Sequence, residues 1–475
     1  MLLHGRHGAH APITETNAGP RGSLWLVLAA AGTAMFLVDL DFFALNLSIP
    51  RMAQDLDESA TNMQWVISGY MLALAAFMIP GGRLGDILGR KRMLIAGLVL
   101  FGVAASLCGT ASSAEVLIAF RVVQGIGAAI LFPICIAVVT AAFPPDRRKR
   151  AIGNLYGVGA LATAMGPFVG GAITGELGWR WVLLIQVPIA VVAILLAIVG
   201  LRESRDETVP RSIDFPGLVT VAVGIGAVTF AIDRGDTWGW TSIATLGTIL
   251  AGLGLLAAFV FLEGRVKWPL VDLSLFRNAP YVIVTLAGTV ANTAFVVTLF
   301  AATLYLQQVE GHSPMTAGVI FLAASFAVAI AGPLSGVLGE RFDIPRLMGA
   351  AIVVGAVGLI GLASYASLGV YLPALAVFGF GYGLCWSLSS IGTQTVVPTE
   401  RAGEASGVTL TIVVGVAGLC VALVAALIET LAGGGTGEGN AIESILRVIA
   451  IASAVVGVGL VVSRRASHRP AAEGA

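Results

Sequence analysis

The chain has 475 residues, 57% of them hydrophobic and 11% charged, with 27 basic and 27 acidic side chains in balance. Its mean hydropathy of +0.92 leaves too little polar surface to coat a soluble protein of this length, and a neutral chain without a basic patch interleaved with aromatics excludes a nucleic-acid-binding face. Lipid is therefore the solvent. A hydrocarbon core of about 30 Å needs about 20 apolar residues per helix, and only helices or closed barrels satisfy their own backbone within it. Runs such as Leu94 to Leu100 are continuously apolar rather than alternating, so the expected fold class is an all-α polytopic membrane protein.

Residues 1–23 carry three His and two Pro but no short apolar core followed by a cleavage site, and are expected to form a cytoplasmic tail rather than a signal peptide. Apolar runs between polar punctuation then predict fourteen spans: 24–48, 62–82, 93–111, 115–141, 152–175, 181–200, 214–233, 241–262, 281–306, 315–338, 347–365, 370–394, 406–430 and 442–463. With loops on alternate sides, 22 of the 27 Lys and Arg share the side of both termini, and only Arg51, Arg180 and Arg234 lie opposite. The positive-inside rule makes both termini cytoplasmic. Arg121 remains deep in span 4 and Arg447 at the start of span 14. All four cysteines fall in apolar runs at no metal-ligand spacing and read as buried apolar fillers.

The stretch Gly82-Arg83-Leu84-Gly85-Asp86-Ile87-Leu88-Gly89-Arg90-Lys91-Arg92 reads as a tight charged turn between spans 2 and 3. Its Gly-x-Leu-Gly-acid order returns from Gly336 to Glu340, 254 residues on, and the loop prolines Pro145 and Pro398 lie 253 apart. Two landmarks with nearly one offset mark a duplicated bundle, which in a membrane chain points to a transporter of two related halves. The expected organisation is a six-span bundle at 24–201, a wet cytoplasmic linker at 202–213, two inserted spans at 214–262, a cytoplasmic loop at 263–280, a second six-span bundle at 281–463 and a cytoplasmic tail at 464–475.

Gly82 to Arg92 resembles the signature that follows span 2 in the major facilitator superfamily, and Arg121-Val122-Val123-Gln124-Gly125-Ile126-Gly127 resembles its span 4 motif. Gly157 to Gly159, with Gly166-Pro167-Phe168-Val169-Gly170-Gly171, resembles the span 5 motif of its antiporters. Leu40-Asp41-Phe42-Phe43-Ala44-Leu45-Asn46-Leu47-Ser48-Ile49-Pro50 resembles the span 1 motif of its fourteen-span drug:proton antiporters. Three positions depart from the pattern: Phe43 replaces a Thr, Asp39 is an additional acid, and Gln186 follows the Trp-Arg-Trp turn in place of Asn. The resemblance implies a major facilitator fold of two six-helix bundles plus two inserted helices. It also implies export of hydrophobic or amphiphilic small molecules, drugs and antibiotics among them, by proton antiport and alternating access. No cofactor, no metal and no enzyme activity are implied, and a monomer in the cytoplasmic membrane of a bacterium is expected. The alternatives are a lipid, lysolipid or metabolite exporter of the same fold, or a proton-coupled nutrient importer. An intramembrane enzyme is disfavoured, since the chain has neither His-Glu-x-x-His nor a P-loop.

An ionisable residue in mid-membrane costs about 2.5 to 3.5 kcal/mol on insertion scales and is read as functional by default. Asp39, Asp41 and Arg121 are the clearest, whereas Asp233, Glu263 and Glu429 sit near span ends. Burial disfavours a charged carboxylate and a neighbouring cation favours it, so an Asp that meets two environments in turn can load and release a proton. Asp39 and Asp41 stand about 200° apart around a helix, so one cavity takes only one of them; the resemblance favours Asp41, with Asp39 its competitor. Arg121 has no counterpart in the second half, where Leu375 stands, although Gly125 and Gly127 map onto Gly379 and Gly381. It is expected to stabilise charged Asp41 or to orient substrate. Gly157, Gly166, Pro167, Gly170 and Gly171 are expected to allow close helix approach and a bend. Gly82, Gly85, Asp86, Gly89, Arg90 and Arg92, with Asp146 as a second acid for the cations, are expected to form a conformational latch belonging to the N-terminal half. Asn46, Tyr70, Gln124, Phe132, Asn292, Thr293, Phe300, Tyr382 and Trp386 are expected to line the cavity. With no deep acid in spans 9 to 14, a neutral, zwitterionic or singly charged substrate is expected.

Overall fold

A computed structural model of the chain describes residues 24–45, 48–58, 63, 65–205, 214–266, 269, 271, 273–364, 367–398, 401–431 and 437–463. Asn46, both tails and most of the 202–213 linker lie outside the described residues, as do the side chains of Pro167, Asp233 and Glu429. Among the described residues all regular structure is helical. The long helices are α1 (Leu24–Ala44), α2 (Trp65–Leu88), α3 (Arg90–Gly109), α4 (Ala114–Ala142), α5 (Pro145–Glu176), α6 (Gln186–Gly200, led in by Trp179–Leu184), α7 (Phe215–Asp233), α8 (Ile243–Glu263), α9 (Ala279–Leu304), α10 (Pro314–Arg341), α11 (Ile344–Leu362), α12 (Leu368–Val396), α13 (Ala402–Leu431) and α14 (Glu438–Val462). Thirteen of these segments are long and apolar enough to cross a membrane, and α13 holds a shorter apolar stretch at Ala402–Gly418.

Helix starts follow from side chains that satisfy the free N–H groups of a first turn. Ser113 accepts from the Val116 N–H at α4, Asn278 from Tyr281 at α9 and Ser313 from Thr316 at α10. Proline leads α5 and α10, where its missing N–H costs nothing.

Helices α1–α6 pack around Met35, Phe101, Ile134 and Leu155, and α9–α14 around Ile352, Phe378, Tyr382 and Ile442. The duplication is visible in the packing itself. A Cβ on Gly125 would strike the Tyr70 carbonyl, and one on Gly379 would strike that of Ala324; both members of the pair shift by 254 residues. The halves meet where α2 crosses α13 and α5 lies along α10. The α7–α8 hairpin packs on α2 and reaches α13 through Ile79, Val221, Phe259, Val271 and Val408. At its other end the Arg234 guanidinium lies 4.1 Å over the Trp65 ring.

Three sequence expectations need correction. The stretch from Gly82 is not a turn: α2 stays helical to Leu88, and the break falls on Gly89 alone, at φ 113, a backbone conformation open to glycine at little cost. The break in the second half falls at the equivalent position, Asp343, whose carboxylate caps α11. Span 5 begins at Pro145 rather than 152, so the Arg147 to Arg150 run is helical. Glu203 is not merely solvated; its carboxylate accepts from the backbone N–H groups of Lys91 and Arg92 at the start of α3, where an anion also suits the helix dipole.

Candidate functional site

Asp41 and Arg121 are brought together in the N-terminal bundle and fully enclosed. Arg121 Nη1 donates to both Asp41 oxygens, at 2.7 and 3.0 Å, and to Gln124 Oε1 at 2.8 Å. Gln124 Nε2 donates to Gln186 Oε1 at 2.7 Å, and Gln186 Nε2 returns to Asp41 Oδ1 at 2.7 Å. The result is a closed ring of four side chains from α1, α4 and α6. Arg121 Nε is tied to the Val66 carbonyl of α2 at 2.9 Å, and its guanidinium lies 4.2 Å over the Tyr70 ring. Such a ring needs every member, because removing one partner of a buried pair leaves an uncompensated charge at about 3 to 5 kcal/mol. Gln186, a departure from the family pattern, closes the ring on Asp41.

Asp39 points elsewhere. It is half-buried and faces α5, where the absent side chain of Gly159 makes room for its carboxylate. Of the two acids, Asp41 is fully enclosed and Asp39 keeps partial exposure.

Between the halves lies a cleft lined by Ile136, Tyr156, Trp386, Ser389, Ser390, Thr393, Ser406, Thr409, Leu410 and Val413. Of the expected cavity residues, Trp386 belongs to it, meeting Tyr156 edge-on at 5.9 Å. Asn292 is half-buried and donates to the Val413 carbonyl at 3.3 Å; Thr293 is half-buried beside it in α9. Phe132 packs on the N-terminal core and Phe300 on the C-terminal one. Three residues are not cavity liners. Tyr70 and Gln124 are consumed by the Arg121 network, and Tyr382 sits in the C-terminal core against Phe378 and hydrogen-bonds Ser453 at 2.7 Å. Tyr156 and the hydroxyls of α12 and α13 belong to no motif in the sequence. Their one signal was helical spacing, with Ser390 three residues before Thr393 and Ser406 three before Thr409.

The basic end is sealed by two clasps. In the first, the enclosed Asp86 accepts from the Gly403 and Glu404 N–H groups at the start of α13, at 3.3 and 2.8 Å, and from Arg90 at 2.7 Å. Arg83 pairs with Glu404 at 3.2 Å and donates to the Pro269 carbonyl at 3.1 Å, in the segment that follows the inserted helices. In the second, Lys149 donates to the Gly339 carbonyl at 2.6 Å and Arg150 pairs with Glu340 at 2.8 Å. The expectation of a latch within the N-terminal half is therefore corrected: its partners lie across the seam. Asp146 takes no part, being exposed and paired with Arg147 at 3.7 Å, while Arg92 turns to Glu203 at 3.6 Å. Gly82 and Gly85 allow close packing, Gly82 on the Gly403 carbonyl and Gly85 on Ile134. In the α5 motif, Gly157 lies on Pro333 of α10 and Gly170 on the Ala44 carbonyl of α1; Gly166 is buried and Gly171 half-buried.

A family profile described as Major Facilitator Superfamily matches residues 31–422. The chain belongs to that superfamily. It is similar to the "Tetracenomycin C resistance and export protein" of Streptomyces glaucescens, with 32% identity over 404 residues covering 84% of this chain and 74% of that one. It is also similar to "Multidrug resistance protein Stp" of Mycobacterium tuberculosis, 33% over 388 residues, covering 81% and 72%. "Drug efflux pump JefA" of the same organism is 33% identical over 390 residues, covering 80% and 76%. Among solved structures, the human organic anion transporter MFSD10 superposes with a TM-score of 0.65 at 15% identity, covering 92% of this chain and 99% of that one. The proton:xylose symporter XylE gives 0.65 at 12%, covering 92% and 96%. At these identities the structures speak for the fold alone, that of the superfamily's two related bundles.

Proposed function

We propose that the chain exports hydrophobic or amphiphilic small molecules, drugs among them, across the cytoplasmic membrane in exchange for protons, by alternating access. The observation that carries the reading is the closed Asp41–Arg121 ring. Protonating Asp41 removes the charge that Arg121 and Gln186 hold, and the buried guanidinium is then uncompensated. Relief requires the ring to rearrange. Because Arg121 also binds Val66 at one end of α2, and Asp86 clasps α13 from the other end of the same helix, a proton on Asp41 has a packed route to the seal between the halves. That is a two-state element which both proton and substrate can bias.

The names of the relatives support the outward direction and the drug-like cargo. A membrane potential of about 150 mV supplies about 3.5 kcal/mol per charge moved, enough to hold a gradient of about 300-fold for a neutral substrate. The test is uptake into energised everted vesicles, using tetracenomycin C and ethidium as probes. Uptake that collapses with an uncoupler supports proton-driven export. Accumulation in intact cells that collapses with the same uncoupler would mean import instead.

A further inference from the structure

We propose that Asp39 is a specificity residue that recognises the positive charge of a singly charged aromatic substrate, separately from the Asp41–Arg121 pair. The proposal rests on the export reading for its purpose, though its test does not. The other described acids in or bordering the spans that are enclosed are also held: Asp41 by Arg121 and Gln186, Asp86 by Arg90 and the start of α13, Glu404 by Arg83, and Glu263 by the Val271 N–H. Asp39 differs on both counts. It keeps solvent exposure, and among the described residues none donates a hydrogen bond or a cation to it. A carboxylate left without a partner at membrane depth is disfavoured, and a cationic ligand supplies that partner.

The surroundings suit such a ligand. Gly159 lacks the Cβ that would collide with Asp39 Oδ2, so the carboxylate rests against the α5 backbone. One turn toward the basic end on the same helix stands Tyr156, whose ring meets Trp386 of the other half at 5.9 Å and an interplanar angle of 86°. Carboxylate and aromatic rings together attract a cation that carries its own aromatic surface. Below the rings the lining continues as Ser389, Ser390, Thr393 and Thr409, hydroxyls without formal charge. The chemistry therefore reads as one positive charge at Asp39, an aromatic body on Tyr156 and Trp386, and hydrogen-bonding substituents toward α12 and α13. Among the described residues that line the cleft none is acidic, so a dication finds no second acid there.

The test compares two probes of similar shape on the purified full-length protein. Tetraphenylphosphonium carries a permanent charge and cannot exchange a proton, while triphenylphosphine oxide is neutral. The wild type is expected to prefer the cation. Asp39→Asn is expected to lower the ratio of cation to neutral affinity by at least about tenfold, and Asp39→Glu to keep most of it. Gly159→Ala, which displaces the carboxylate without removing it, should lower the ratio as well. A merely structural Asp39 would weaken both probes together and leave the ratio alone, which would overturn the proposal. So would a wild type without preference for the cation, or an Asp39→Asn protein that keeps the ratio but no longer releases protons with the neutral probe in vesicles; the latter would make Asp39 the proton carrier. Failure of wild-type vesicles to exchange either probe for protons would count against the export reading while the binding ratio still decides the role of Asp39.

Discussion

The two clasps at the basic end are built from equivalent positions and sealed by different means. The 254-residue offset carries the Gly82–Gly403 contact onto Gly336–Lys149, and Gly153–Gly332 onto Gly407–Met78. The backbone seams are thus alike. Their charges are not. Arg83 and Glu404 are 6% and 1% exposed at their side chains, and Asp86 is fully enclosed, whereas Arg150 and Glu340 are 57% and 25% exposed. Exposed pairs contribute about 0 to 1 kcal/mol, while opening a buried cluster leaves charges uncompensated at about 3 to 5 kcal/mol. Among the described residues the inserted hairpin packs on the α2–α13 seam through the apolar cluster at Val408, and the segment after it reaches the same seam through Pro269. Duplication thus supplied two contacts of one shape, and side chains made one of them the more deeply buried ionic cluster.

The comparison breaks most sharply at Asp86. Replacing it with Ala removes the acceptor for Arg90 and for two α13 N–H groups, and should shift the balance toward a protein open at the basic end by about 100-fold or more. Spin-label distances between the ends of α2 and α13 would read the shift. A middling effect is expected from the glycines. Gly82→Ala would push a methyl into the Gly403 carbonyl and Gly336→Ala would bring one to 2.5 Å from Arg150 Cα, so each should cost about 1 to 3 kcal/mol, and the two should match within about fivefold if the seams are equivalent. The smallest effect belongs to Arg150→Ala. It should change the same distances less than about fivefold, and about 1 M salt should erase even that, while leaving the buried Asp86 cluster in place.

How much of this was legible beforehand varies with the kind of signal. Fourteen apolar runs announced the helices because lipid permits little else. The residue at which a helix stops was less visible: Gly82 and Gly85 read as turn punctuation, yet in a packed bundle they serve close approach, and only Gly89 carries the positive φ. Asp41 and Arg121 stood out because charge is rare at membrane depth, and Gln186 surfaced as a departure without revealing that it closes their ring. Glu404 lies outside the apolar run that predicts a span at 406–430, whereas α13 already starts at Ala402. Which of Asp39 and Asp41 is enclosed was not legible either: the Asp39 carboxylate lies against Gly159, more than a hundred residues away, while Asp41 is held by Arg121 and Gln186. Tyr156, Ser390 and Thr409 were hidden for a related reason. Hydroxyls in a helix are ordinary until a facing half turns them into the lining of a cleft.

If the Asp41–Arg121 ring couples substrate to protons, its loss must uncouple the two fluxes, which can be followed together in one preparation. Wild-type and Asp41→Asn proteins, reconstituted in proteoliposomes, would be given a pH gradient and a labelled substrate, with internal pH recorded alongside. Stoichiometric proton and substrate counterflow is expected in the wild type, and in Asp41→Asn a loss of proton-driven accumulation by at least about 100-fold with substrate binding retained. Proton exchange for substrate at the wild-type rate in Asp41→Asn would contradict that coupling.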